Sequence, residues 1–381
     1  MRRDIVTGQT VQALPQFATD FASVELRETF EDLFGSVRPI SQQRLSWRHH
    51  VHRMQVDVGG TSRSLVLKRF SSSQIAQRNQ MVVTRWLPAV GLARAVPTLL
   101  GIAAERDGKH VWHIYEDLGE CSLAVKEPPT EDRGPRHSRH APRVFHVSPD
   151  RVHAAVRIIA EVHARFTEHP LLGECRLYGS DFGEHFFSSA LRDAIRTLEL
   201  LLTPERELSS SRMESLQHLL VTLRRLLSEA PARAAAMTRF GGPETLLHGD
   251  LWPINVMVYP DGVSLRGCLV DWDHVGVGSV SYDLSNFLGH LPPEDRQWVL
   301  QEYLQCMERI GGWRFPRETD WNLLCDTAER SRLATSAFWR AMTALDNPSD
   351  WALDDLAAVD EWLVMVEPIF PAGSAESEVQ R

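Results

Sequence analysis

The run His248-Gly249-Asp250-Leu251-Trp252-Pro253-Ile254-Asn255 decides how the rest of the chain is read. A carboxylate stands at 250 and an amide at 255. That spacing suits a site where a hydroxyl loses its proton beside a phosphate. Asp250 is the candidate catalytic base, able to accept the proton of an attacking hydroxyl. Asn255 offers an amide oxygen for the metal that offsets phosphate charge. The plainer alternative is a buried turn with a capping aspartate, and the match of the whole eight-residue string weighs against it.

Downstream, residues 255–259 and 264–271 are rich in β-formers, and Pro260-Asp261-Gly262 between them is a turn signal. The sequence predicts a β-hairpin that brings Leu269-Val270-Asp271-Trp272-Asp273 back towards Asn255. Mg2+ takes carboxylate and phosphate oxygens in octahedral geometry, so Asp271 is the second expected ligand and Asp273 an alternative. Upstream, Leu65-Val66-Leu67-Lys68 reads as an apolar strand ending in a lysine. A point charge on a stiff strand can clamp phosphates. An exposed edge-strand lysine looks the same, and only its chain order before the other two motifs gives Lys68 weight.

Around these motifs the amino-terminal part reads as a small α/β unit. Residues 20–35 form an amphipathic helix, 45–70 a hairpin turning at Gly59-Gly60, 74–90 a helix and 111–115 a strand. The hairpin loop is read as either a tight turn or a longer one. Residues 124–147, with much Pro, Gly and charge and no periodicity, read as a flexible insertion. Beyond them helices are predicted at 148 onward, with Ser148 as N-cap, and at 184–204, 210–228, 282–290, 294–310, 320–344 and 352–366. Asp283 directly precedes an apolar helical run and is read as its N-cap. His163 is read as a hydrogen-bonded core histidine, and His248 as a residue that orients the loop.

Composition narrows the class. Of 381 residues, 43% are hydrophobic and 24% charged, which is ample for a globular core. A net charge of -9 argues against a nucleic-acid partner. No apolar run is long enough to span a membrane, and Met1-Arg2-Arg3-Asp4 is followed by no apolar signal core, so a cytoplasmic location is expected. The five cysteines are scattered without a CxxC pair, consistent with a reducing compartment. His49, His50 and His52 cluster without a thiolate or carboxylate at ligand spacing, so no metal is assigned to them.

The string 248–255, then Asp271-Trp272-Asp273, then Tyr282-Asp283-Leu284-Ser285, resembles the aminoglycoside phosphotransferase and choline kinase family. The likeness is most specific over 246–288 and extends loosely to Lys68, Tyr115–Gly119 and Ala160-Glu161-Val162-His163. It implies an α+β, bilobal protein-kinase-like fold. The expected parts are a small β-sheet lobe over residues 1–118, ending in a hinge, and a larger, mainly helical lobe over 119–381. It implies ATP with Mg2+ as cofactors and adenine bonded to hinge backbone near Glu116 and Leu118. The acceptor is then a small-molecule hydroxyl, first of all on an aminoglycoside-type antibiotic. Choline, homoserine and sugar-like metabolites share the scaffold.

Two departures stand out. The family usually carries a glutamate that pairs with the strand lysine, whereas this chain has Asn79 or Gln80 there and no acidic residue between 71 and 104. Either a hydrogen bond or another carboxylate must hold Lys68, or the chain is a catalytically weak nucleotide-binding scaffold. The nucleotide-covering loop Ser46-Trp47-Arg48-His49-His50 has no glycine, and Arg48 is a phosphate contact by position only. A protein kinase ranks below these readings because no A-P-E motif follows. Asp346, Asp350, Asp354, Asp355, Asp360 and Glu361 form either an acidic rim for a polycationic acceptor or an ordinary solvated helix face. The sequence carries no signal of oligomeric state.

Overall fold

Alternating apolar residues on two successive strands, Val51–Val58 and Thr61–Phe70, set up the amino-terminal sheet of the protein. The computed structural model describes residues 23–45, 50–124, 144–203, 208–346 and 350–370. Arg48 and residues 125–143 of the expected insertion at 124–147 lie outside them. Contacts divide the chain into two units, Met1–Cys121 with Cys268–Asp273, and Ser122–Gly267 with His274–Arg381.

In the first unit, helix α1 (Val24–Phe34) is capped by Ser23, whose hydroxyl accepts from the Leu26 amide. Strands β1 (Val37–Arg44), β2 (Val51–Val58), β3 (Thr61–Phe70), β4 (Leu99–Ala104) and β5 (Val111–Glu116) form one antiparallel sheet in the order β1-β2-β3-β5-β4. Val58 pairs with Thr61 across Gly59 and Gly60, both at positive φ, so the hairpin closes by a two-residue turn. Met54, Val56, Leu65, Leu67, Trp112 and Ile114 form the core with Leu26 and Phe30 of α1. A Cβ on Gly101 would meet the Leu33 side chain at 2.6 Å, so glycine lets α1 close on β4. The sequence reading missed β1 and β4, the two edge strands, and both carry register shifts, at Pro39/Ser41 and Leu99/Gly101. Bulges and proline are tolerated at edges, and they erase the alternation by which strands are recognised.

Helix α2 (Ser73–Met81) continues through a π-helical turn, Val82–Trp86. The second unit opens on α3 (Pro149–Phe166), with Ser148 at its N-cap position. Then follow α4 (Leu172–Tyr178), β6 (Ser180–Phe182), α5 (Phe186–Leu201), α6 (Ser210–Ser228), α7 (Ala230–Phe240) and β7 (Thr245–Leu247). The hairpin β8 (Val256–Asp261) and β9 (Ser264–Leu269) comes next, then β10 (Gly276–Gly278), α8 (Ser281–Gly289), α9 (Pro293–Ile310), α10 (Trp321–Asp346) and α11 (Asp350–Met365). Leucines and alanines of α5, α6, α10 and α11 share one core, among them Leu191, Leu198, Leu219, Leu223, Ala334, Ala337 and Leu356. Helices α4 and α7 were not expected from the sequence. The first has only seven residues, and the second runs through Ala230-Pro231-Ala232-Arg233 with a weak apolar face.

The expectation that Asp283 caps a helix is overturned. The N-cap position of α8 is Val280, and Asp283 lies inside the helix with a side chain only 2% exposed. Its carboxylate accepts from the backbone amides of His248 (2.7 Å) and Gly249 (2.9 Å) and bonds His163 Nε2 at 3.2 Å. His163 Nδ1 meets the Tyr303 hydroxyl at 2.9 Å, so it is the buried, hydrogen-bonded histidine expected from sequence. Two amides and an imidazole need an acceptor in the core, and this need outcompetes the end of the helix. Burial alone would push the Asp283 carboxyl up. The hydrogen bond and charge of His163, the charge of His248 and the Gly249 amide outweigh it and hold the group below its usual value.

Asp283→Ala should therefore cost about 3–5 kcal/mol in urea unfolding, because it leaves buried donors without their acceptor. The folded pKa is depressed, so this stability is complete above the unfolded value of about 4 and is lost as pH falls through the folded one. The unfolding free energies of wild type and variant should converge in acid.

Candidate active site

The loop after β7 begins with a bend that only glycine fits. Gly249 has φ +79°, and a Cβ there would collide with the backbone oxygen of His274. The bend delivers Asp250, whose amide donates to His248 Nδ1 at 3.3 Å. The Trp252 amide donates to the Asp250 carbonyl at 2.9 Å, and the Asn255 amide to the Trp252 carbonyl at 2.9 Å. Asn255 Nδ2 then donates to the Asp250 carbonyl (2.8 Å) and faces its Oδ2 at 3.4 Å. The structure thus brings together the two residues that the motif paired. With its nitrogen committed to Asp250, the buried Asn255 amide leaves its oxygen as the atom that could meet a hard cation.

Around this loop lie groups the sequence did not reveal. The Trp252 ring packs on His290 at 4.0 Å between centroids, and His290 Nδ1 bonds the Asn286 carbonyl at 2.6 Å. Arg332, from α10, places its guanidinium 4.5 Å over the Tyr282 ring and donates to the Tyr282 carbonyl at 2.8 Å and the Ser285 hydroxyl at 3.2 Å. It also pairs with Glu329. Burial would push Arg332 down, but the charges of Glu329, Tyr282, Asp250 and Asp283 keep it raised. Burial pushes the Tyr282 phenol up to about 12. Arg332 sits in a long helix with no motif of its own, so nothing local could have identified it.

In the first unit, β3 sets Lys68 opposite His113 of β5. Lys68 Nζ lies 2.5 Å from Asp271 Oδ1 and 2.5 Å from Asp273 Oδ1, with its side chain 11% exposed. Burial would push its pKa down, and the two carboxylates more than reverse that. Asp271 has φ +70°, rare for a residue other than glycine. Its side chain remains 46% exposed, so an oxygen can be reached from solvent. Of the two residues at the expected glutamate position, Gln80 is exposed and Asn79 is buried against the site. Asn79 Nδ2 donates to Asp273 Oδ1 at 2.8 Å, and Arg78 donates to the Asp273 carbonyl at 2.7 Å.

The expected hinge is pinned by a residue not singled out beforehand. Asp117 receives Arg53 at 2.8 and 3.2 Å, the Ser64 hydroxyl at 2.5 Å and the Gly119 amide at 2.9 Å. Burial would raise its carboxyl, and these donors hold it low. Glu116 donates its amide to the Thr98 carbonyl at 3.0 Å, and its carboxylate accepts from Thr98. Leu118 follows, partly buried, in the segment without regular structure.

Part of the acidic face near the carboxy terminus is paired. Asp354 pairs with Arg212 (3.3 Å), Asp355 with Arg340 (3.3 Å) and Asp360 with His218 (2.5 Å). Among the described residues no group of three or more His, Cys, Asp or Glu is placed to hold a metal ion. Mg2+ sites built from one or two protein oxygens plus substrate phosphates need no such group. Among the described residues, too, no helix is long and apolar enough to cross a membrane.

No curated protein matches the sequence. Among solved structures, the chain is similar to an ethanolamine kinase of Plasmodium vivax, with TM-score 0.53, 12% identity, and 89% of this chain and 84% of that chain covered. It is also similar to a spectinomycin phosphotransferase solved with ADP and spectinomycin, with TM-score 0.51, 11% identity, and 91% and 95% covered. A macrolide 2'-phosphotransferase of Brachybacterium faecium matches with TM-score 0.48 and 16% identity over 85% and 92%. The ethanolamine kinase and spectinomycin phosphotransferase establish the fold as kinase-like, mixed α+β, with an antiparallel amino-terminal sheet and a larger helical carboxy-terminal part. The model of the phosphotransferase enzyme family (APH) matches residues 48–318, most of the chain and all three motifs, and the chain belongs to that family.

Proposed function

We propose that the chain is a small-molecule kinase that transfers the γ-phosphoryl group of ATP to an acceptor hydroxyl. The observation that carries this is the Asp250–Asn255 pair, held in a loop whose backbone is fixed by the buried Asp283 carboxylate. Asp250 receives the hydroxyl hydrogen of the acceptor, aligns the oxygen for attack and takes the proton as the bond to phosphorus forms. Lys68 orients the phosphates, and the backbone near Glu116 and Leu118 receives the adenine. Asn255 and Asp271 would hold Mg2+, which when bound offsets the charge of the phosphate oxygens. Most of the acceleration comes from position and preorganised charge, since phosphoryl transfer asks little covalent chemistry of the protein.

Aminoglycoside-type antibiotics are the first acceptor class in this reading. The family supports it, as does the fold shared with a spectinomycin phosphotransferase. An amino alcohol of the ethanolamine kind is the second class, supported by the shared fold of that kinase. ADP release from Mg-ATP across aminoglycosides, other antibiotics and small amino alcohols separates them. Turnover with one class, reduced about 100- to 10,000-fold in Asp250→Asn while ADP affinity stays within a few-fold, is the expected result. Equal turnover in the variant would remove Asp250 from the mechanism. Asp271→Asn should raise the Mg2+ concentration for half-maximal turnover by at least about 10-fold, and an unchanged Mg2+ response would remove it as a ligand.

A further inference from the structure

The lysine that contacts phosphates must be held in place before they arrive, and this chain lacks the acidic residue on α2 that would do so. We propose that Asp273 is the positioning residue for Lys68, and that Asn79 and Arg78 of α2 hold Asp273 in turn. The inference rests on the kinase reading and extends it to a residue outside the proposed metal ligands.

Three contacts converge on Asp273 from two elements. Lys68 Nζ lies 2.5 Å from Oδ1, Asn79 Nδ2 donates to the same oxygen at 2.8 Å, and Arg78 donates to the backbone carbonyl at 2.7 Å. Asn79 is only 2% exposed and also donates to the Ile75 carbonyl at 3.0 Å, one turn back along α2. Its amide is therefore locked with nitrogen towards Asp273, an orientation that only an acceptor can satisfy. A glutamate on α2 would carry the charge itself. Here the helix carries a donor, and the charge comes from the strand-end segment. The Asp273 side chain is 28% exposed against 46% for Asp271. The two carboxylates thus divide the work. Asp273 is tied to α2 and the lysine, and Asp271, the more open of the two, would be the carboxylate that holds Mg2+. A carboxylate that already accepts from an amide and an ammonium on one oxygen is a poor choice for a metal ligand as well.

The test is ADP affinity by calorimetry, with Mg2+ and with EDTA, for wild type, Asp273→Asn and the double variant Asp273→Asn/Asn79→Glu. Glutamate at 79 is one methylene longer than asparagine and brings a carboxylate from α2 to Lys68. Thermal unfolding of each protein checks that it is folded. Asp273→Asn should weaken ADP binding about 10-fold, a typical loss for a residue that orients a ligand-holding group, and equally in both buffers. The double variant should recover most of it. A loss confined to the Mg2+ buffer makes Asp273 a metal ligand and overturns the proposal. Unchanged affinity in Asp273→Asn, or no recovery in a folded double variant, overturns it too. Wild type that binds no ADP in either buffer would fail the kinase reading itself, and the proposal with it.

Discussion

A carboxylate buried in a protein core has to be met by donors, and the Asp283 carboxylate is met by two amides and an imidazole. Much of the second unit's chemistry depends on that requirement. The amides are those of His248 and Gly249, immediately before Asp250, so a core interaction sets the path of the loop carrying the proposed base. Tyr303 on α9 and His163 on α3 extend the same network into the helical core. The bend at Gly249 and the Asn255 side chain then complete the loop from its other end. A base held this way spends little free energy on ordering when an acceptor binds.

The parts legible in the sequence were those whose chemistry lies within a short stretch. The Asp250–Asn255 spacing, the hairpin that follows and the long amphipathic helices all read correctly, because a loop motif, a turn tripeptide and a 3.6-residue period are local signals. The edge strands β1 and β4 did not, since their bulges interrupt alternation. Asp283 misled for a related reason. An aspartate at the start of a helix looks like a cap, and only the fold shows that its partners are 34 and 35 positions away in sequence. Asp117 and Arg332 were invisible because the partners that place them, Arg53 and the Tyr282 carbonyl, lie on other elements.

The missing glutamate on α2 is where the chain departs most from its family, and the structure gives it a physical resolution. Lys68 is not left alone in a desolvated place; two carboxylates meet it, and α2 contributes donors where a glutamate would have contributed charge. A lysine so heavily paired is at odds with a site that has lost its chemistry through want of a counter-ion. Nearer Asp250, Trp252, His290, Glu329 and Arg332 mix aromatic surface with both signs of charge.

The central claim is that a phosphoryl group passes from nucleotide to an acceptor hydroxyl. Phosphorus-31 NMR of the protein with Mg-ATP and an acceptor that stimulates ADP release tests it most directly. The account predicts a new phosphate monoester resonance growing in step with ADP. Inorganic phosphate as the only product besides ADP would mean that water, not the acceptor, is attacked, and would contradict it.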